Sequence, residues 1–153
     1  MAVHSTVNSK VKISASTPAS FDETGYAALT FTQVGEITDF GTIGRKSGVA
    51  THTPVDTGVT QKFKTSFDEG EMTLSLALDT ADAGQVLMEA ARDSKLAYSF
   101  EITIQEGTKF YFQALVTSFD ITLGTVESIT NAASTLQITS SKTGVGVIKV
   151  LAD

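Results

Sequence analysis

The feature that most constrains this chain is a period of two. From Glu71 to Leu78, Met72, Leu74, Leu76 and Leu78 fall on one side, and Glu71, Thr73 and Ser75 on the other. Successive side chains of an extended strand point to opposite faces, so this run predicts a strand with one buried face. The pattern recurs downstream. Tyr98, Phe100, Ile102 and Ile104 alternate with Ser99, Glu101, Thr103 and Gln105. Phe110, Phe112, Ala114 and Val116 alternate with Lys109, Tyr111, Gln113 and Thr117, which makes Tyr111 the clearest outward-facing aromatic. Asp68-Glu69-Gly70 and Glu106-Gly107-Thr108 supply turn residues between strands. Further strands are predicted near 10–14, 28–40 with a break at Gly35, 59–67, 119–123, 128–140 and 145–150. Threonine, at 23 positions, suits strands better than helices.

One segment follows another period. Ala83, Val86, Leu87, Ala90 and Ala91 keep the i, i+3, i+4, i+7, i+8 spacing of an amphipathic helix, predicted over 81–93. Asp79 or Thr80 is the expected cap, Asp82 lies in the first turn and Arg92 in the last. From Gly41 to Gly58 no period persists, and five glycines or prolines punctuate the run (Gly41, Gly44, Gly48, Pro54, Gly58). Residues 41–58 therefore read as a long loop between strands, a kind of loop that is often functional. The expected fold is mainly β (α+β): two packed antiparallel sheets, sandwich- or barrel-like, flanked by one α-helix. A length of 153 residues fits one domain over 1–153, with 1–9 a flexible N-terminal arm.

Composition narrows the chemistry. With no cysteine, the chain has no disulfide scaffold, thiol nucleophile or thiolate metal site. A net charge of −6 argues against sequence-specific reading of DNA, which wants a basic patch. Met1 to Asn8 lacks the apolar run of a secretory signal, and no apolar stretch reaches the ~18 residues of a membrane span.

No catalytic, metal or cofactor site is expected. His4 and His52 are the only histidines, and surface positions explain them better than a Ser-His-Asp arrangement does. Asp68, Glu69 and Glu71 could hold a hard cation, yet turn chemistry accounts for them. Gly44-Arg45-Lys46-Ser47 fails as a phosphate loop, because Arg45 stands where glycine is needed and no helix follows. It is a locally basic segment suited to docking on an acidic patch, including one on another copy of the chain. Lys62 and Lys64 share one strand face, too little charge for a nucleic-acid platform without interleaved aromatics. Function is then expected in the surface. Small polar outer faces and few guarding prolines or lysines fit sheet edges that pair with neighbours.

The run from Phe31 to Phe40 (Phe-Thr-Gln-Val-Gly-Glu-Ile-Thr-Asp-Phe) resembles the strand before the long loop in major tail tube proteins of long-tailed, lambda-like bacteriophages. The Asp68-Glu69-Gly70-Glu71 turn, the strand to Leu78 and the stretch from Asp79 to Leu87 resemble that family's next strand and the start of its helix. A glycine-rich, basic 41–58 loop departs from the pattern. The resemblance implies a structural virion protein that self-assembles into stacked hexameric rings, the tail tube through which the genome is ejected. It implies a place in the virion tail after assembly in the host cytoplasm, with tape measure and tail terminator or tip proteins as partners. DNA would pass through the lumen without specific binding. The inner-sheet strands would lie near 28–40, 59–67, 98–105 and 109–118. Lumen-facing candidates are then Glu36, Lys62, Lys64, Glu101, Thr103, Gln105, Gln113 and Thr117. Lys62 and Lys64 would need a carboxylate such as Glu101 nearby. Ring-stacking candidates in the loop are Thr42, Arg45, Lys46, His52 and Asp56. The competing expectation is a soluble β-sandwich module for receptor or carbohydrate recognition, which would show aromatics on a concave face.

Overall fold

The computed structural model describes residues 3–152. In chain order the elements are β1 (Lys10–Ser14), α1 (Glu23–Ala27), β2 (Thr32–Val34), β3 (Ile37–Asp39), β4 (Lys46–His52), β5 (Gln61–Asp68), β6 (Glu71–Ala77), α2 (Ala83–Asp93), β7 (Tyr98–Thr103), β8 (Lys109–Thr122), β9 (Asn131–Thr139) and β10 (Ile148–Val150). Two antiparallel sheets result, as the alternation predicts. The large one has the order β2-β1-β7-β8-β9-β6-β3, with β10 beside the start of β8; the small one is the β4–β5 ribbon.

The two edge strands of the large sheet are consecutive in the chain, joined only by Gly35 and Glu36. Such a short link brings the edges together, so the sheet curls until they almost meet. Glu36 makes this sharp change of direction with φ 62°, in the left-handed region. The strand expected over 28–40 is therefore two short strands with the break at Gly35 and Glu36. No strand pairing closes the seam; side chains and single backbone bonds do. Ala77 N–H donates to the Glu36 carbonyl at 2.9 Å. The Gln85 amide donates to the carbonyls of Gly35 (3.1 Å) and Ala77 (3.0 Å), and accepts from Asp79 N–H at 2.9 Å.

Helix α2 lies against the concave side of the curl, where Met88 and Ala91 are fully covered. Its N-cap is Asp82, rather than the expected Asp79 or Thr80. Asp82 has extended backbone angles and its carboxylate accepts from Gln85 N–H at 3.0 Å. The same carboxylate accepts from Gly35 N–H at 3.1 Å, so one side chain starts the helix and holds the seam. Asp79 instead closes the turn before it, accepting from Ala81 N–H. Gly84 lets α2 approach: a Cβ there would sit 2.2 Å from the Gln33 carbonyl oxygen.

The core is the concave face. Val11, Ile13, Leu74, Leu76, Phe112 and Leu136 are buried there, and Phe100 stacks on Phe112 at 5.5 Å. Burial of each such side chain contributes about 1.5–3 kcal/mol. Strands expected separately at 109–118 and 119–123 form one strand, β8. A bulge between Val116 and Ser118 shifts the register by one residue, which explains why the alternation changes phase from Val116 to Phe119.

A second helix, α1, was not expected. It caps on Asp22 and folds the 15–31 segment over the convex side of β7 and β8. Tyr26 stacks on Tyr111 at 5.3 Å and Phe31 approaches it at 6.1 Å. Tyr111 does lie on the face opposite the phenylalanines, but it is covered, with 3% of its surface exposed. The other correction concerns the 41–58 connection, which contains strand β4.

Candidate functional site

Strands β4 and β5 pair only with each other and form a ribbon that buries almost nothing of its own. Every residue of β5 is exposed. Cross-strand neighbours are Val49 with Lys64, Ala50 with Phe63, Thr51 with Lys62 and Ser47 with Phe67. Because opposite residues share a face, the ribbon has two unlike sides. A bulge in β5 opposite Gly48 shifts the register, so one side carries Lys62, Lys64 and Phe67 with Val49. The other carries Lys46 and Phe63 with Ala50, and the Phe63 and Phe67 rings are 55% and 60% exposed. An isolated two-stranded ribbon is marginal in water, so this one gains from a partner.

Its base is fixed. Arg45 Nε donates to both carboxylate oxygens of Glu69, at 3.0 and 2.9 Å, and Nη2 donates to Oε1 as well. The Arg45 guanidinium lies 5.1 Å from the centre of the Phe67 ring. Glu69 has 7% of its side chain exposed, so its charge depends on this partner. The hydrogen bonds to Glu69, and then its charge, raise the Arg45 pKa further above its already high ordinary value. Gly146 completes the seat, since a Cβ there would lie 2.2 Å from the Glu69 carboxyl carbon.

The residues expected to stack rings, Thr42, Arg45, Lys46, His52 and Asp56, all lie exposed on the ribbon or at its base. The lumen candidates are dispersed. Lys62 and Lys64 are exposed on the ribbon, in a different sheet from Glu101. Glu101 is buried and already held, with Lys12 Nζ at 3.9 Å, Lys109 Nζ at 4.0 Å and a hydrogen bond from Thr103 at 3.1 Å. It is therefore not free to pair Lys62 or Lys64. Burial, and secondarily the Glu101 charge, push the pKa of Tyr111 up to about 12. Gln113 is buried beside Ser99, whose hydroxyl accepts from its amide at 3.4 Å. Thr103 is half-buried, Gln105 is exposed beyond β7, Glu36 is exposed at the seam, and Thr117 is exposed at the β8 bulge.

Sequence reasoning placed Glu71, Thr73 and Thr117 on outward polar faces but did not join them with Asp120 and Gln137 into one open face of β6, β8 and β9. Glu71, Thr73, Thr117, Asp120 and Gln137 are exposed there, and Gln137 bonds Glu71 across the strands. The signal was present, because these are the alternation partners of Met72, Leu74 and Leu136. No chemistry gathers among the described residues: no three His, Asp or Glu side chains converge as a metal site. A hollow of about 460 Å³ between Thr6–Ser9 and Ile37–Gly41 has Asp39 and three hydroxyls in its lining, with no histidine, lysine or second carboxylate beside them.

No protein-family model and no curated protein sequence matches the chain. Solved structures do. A chain in the cryo-EM structure of the anti-feeding prophage baseplate, 6-fold symmetrised, superposes with a TM-score of 0.69 at 10% identity, covering 98% of this chain and 97% of that one. A chain in the tail of the empty GTA particle, determined by helical refinement with C6 symmetry, gives 0.62 at 11% identity over 88% and 92%. The fold is thus one found in phage-type tail and baseplate assemblies, which agrees with the resemblance read from the sequence.

Proposed function

We propose that this protein is a structural subunit of a phage tail, which self-assembles into stacked hexameric rings forming the tube for genome ejection. The observation that carries the reading is the β4–β5 ribbon. It stands on a base fixed by Arg45 and Glu69 and presents exposed lysines and phenylalanine rings on both of its sides. The likeness to chains of a 6-fold baseplate and a C6 tail, over nearly the whole length, supports it. Thr42, Arg45, Lys46, His52 and Asp56 belong to the stacking element in this reading. The lumen is lined by polar strand faces, with Thr103, Gln105 and Thr117 among the candidates. Few free cations on such faces limit attraction to DNA, because each neutralised phosphate adds affinity. Tape measure and terminator or tip proteins are the partners this role implies, in the virion tail.

The protein works here as an assembling part, not as an enzyme. A recognition module would need aromatics open on a concave face, and here α2 covers that face and Phe100 and Phe112 are buried. Negative-stain electron microscopy of the purified chain tests the proposal. Rings or tubes of uniform bore support it. A monodisperse monomer at every concentration and salt would rule it out.

A further inference from the structure

We infer that the lysine face of the ribbon docks on the opposite end of a second copy of this chain, through a charge-complementary surface around the β2–β3 seam. The inference rests on the stacking role proposed above and names the receiving surface. Lys62 and Lys64 are two residues apart on one strand face, about 7 Å from each other, with Val49 and Phe67 on the same face. Among the described residues, neither lysine has an ion-pair partner. Two like charges side by side on an open sheet face favour an acidic counterpart.

Strand β6 fixes where that counterpart is. The ribbon leaves the domain beside Glu69 and Gly70, at the start of β6. At the far end, six residues and about 20 Å away, Ala77 bonds the Glu36 carbonyl, Leu78 bonds the Thr130 carbonyl, and Ala77 pairs with Asn131. The segments that meet there, 35–36, 77–82 and 120–131, contain Glu36, Asp79, Asp82, Asp120 and Glu127 and no lysine or arginine. Within the same end, Leu123, Val126 and Ile129 are 70%, 97% and 73% exposed. This surface offers negative charge to Lys62 and Lys64 and apolar area to Val49 and the Phe67 ring on the same face. Complementary patches at opposite ends of one chain make a head-to-tail contact, which repeats along an axis rather than closing a dimer.

Charge reversal tests it without touching the core. Glu36 and Glu127 are exposed, and among the described residues their carboxylates pair with no lysine or arginine. The chain carrying Lys62→Glu and Lys64→Glu should need at least tenfold more protein to assemble, read by light scattering and electron microscopy. Glu36→Lys with Glu127→Lys should do the same. The chain carrying all four changes should regain assembly, because the complementarity is restored with its sign inverted. Raising sodium chloride from about 50 to 500 mM should weaken wild-type assembly, since exposed charges are screened. Circular dichroism confirms that each variant is folded. Reversals that leave assembly intact, or a folded fourfold variant that stays dispersed while the wild type forms tubes, would overturn this inference and leave the tube reading standing. A wild type that never assembles would overturn both.

Discussion

Gln85 is one side chain on which the curl of the large sheet depends, and replacing it with methionine isolates that role. The two side chains have nearly the same length and volume, so packing against α2 and β6 is kept. What is lost is the amide bridge: its two donations, to Gly35 and Ala77, and its acceptance from Asp79. Gln85 itself is 1% exposed. Each buried partner left without a bond costs about 1–3 kcal/mol. Asp79 N–H lies at an exposed turn and can take a water, so the two carbonyls set the cost, at about 2–6 kcal/mol. Against a total stability of roughly 5–15 kcal/mol this is a large fraction. With a urea slope of about 2 kcal/mol/M, the midpoint should fall by about 1–3 M. Gln85→Glu adds a sign check. Its carboxylate would face two carbonyls, which raises its pKa in the folded state, so that variant should gain stability relative to wild type as pH falls from 7 to 4. Urea titration followed by circular dichroism reads both. A midpoint shift under about 0.3 M for Gln85→Met would show that the seam is held by something else.

Three further outcomes follow from the same geometry. Phe112→Ala, which removes a fully buried ring stacked on Phe100, should cost about 3–5 kcal/mol in the same titration. Deleting residues 47–66, the ribbon beyond Lys46, keeps Arg45 on Glu69 and should leave a folded domain by circular dichroism while abolishing tube growth by electron microscopy; tubes that still form would show that stacking lies elsewhere. Tyr26 and Tyr111 both have pKa values raised to about 12, chiefly by burial. The neutral phenols are favoured in the folded state, so their contribution is complete below about pH 10 and is lost as pH rises toward 12. Absorbance at 295 nm should show their ionisation arriving together with alkaline unfolding; ionisation near pH 10 in the folded protein would contradict the stacking over α1.

The sequence was most legible where one face of a strand is buried. Met72, Leu74 and Leu76 announce β6, and Phe100 and Phe112 announce β7 and β8, because burial imposes the period of two. It was silent where nothing is buried. Lys46-Ser-Gly-Val-Ala-Thr-His has no period because both faces of β4 meet solvent, so the strand proposed to make the stacking contact reads as a loop. The convex face misled for a different reason. Tyr111, Glu101 and Gln113 do alternate outward, but a five-residue helix, too short to leave a periodic trace, carries Tyr26 over Tyr111, while Lys12 and Lys109 meet Glu101 and Ser99 meets Gln113. The cap on α2 went to Asp82 because its carboxylate also serves Gly35, 47 residues away in sequence, a contact that no local rule contains.

Helical reconstruction of the assembled protein by cryo-electron microscopy tests the central claim most directly. The account predicts a hollow tube of stacked six-fold rings in which each β4–β5 ribbon crosses to the next ring and rests on the Glu36 end of a neighbouring copy. An assembly in which the ribbons lie free in solvent, or particles that form without any ring order, would contradict it.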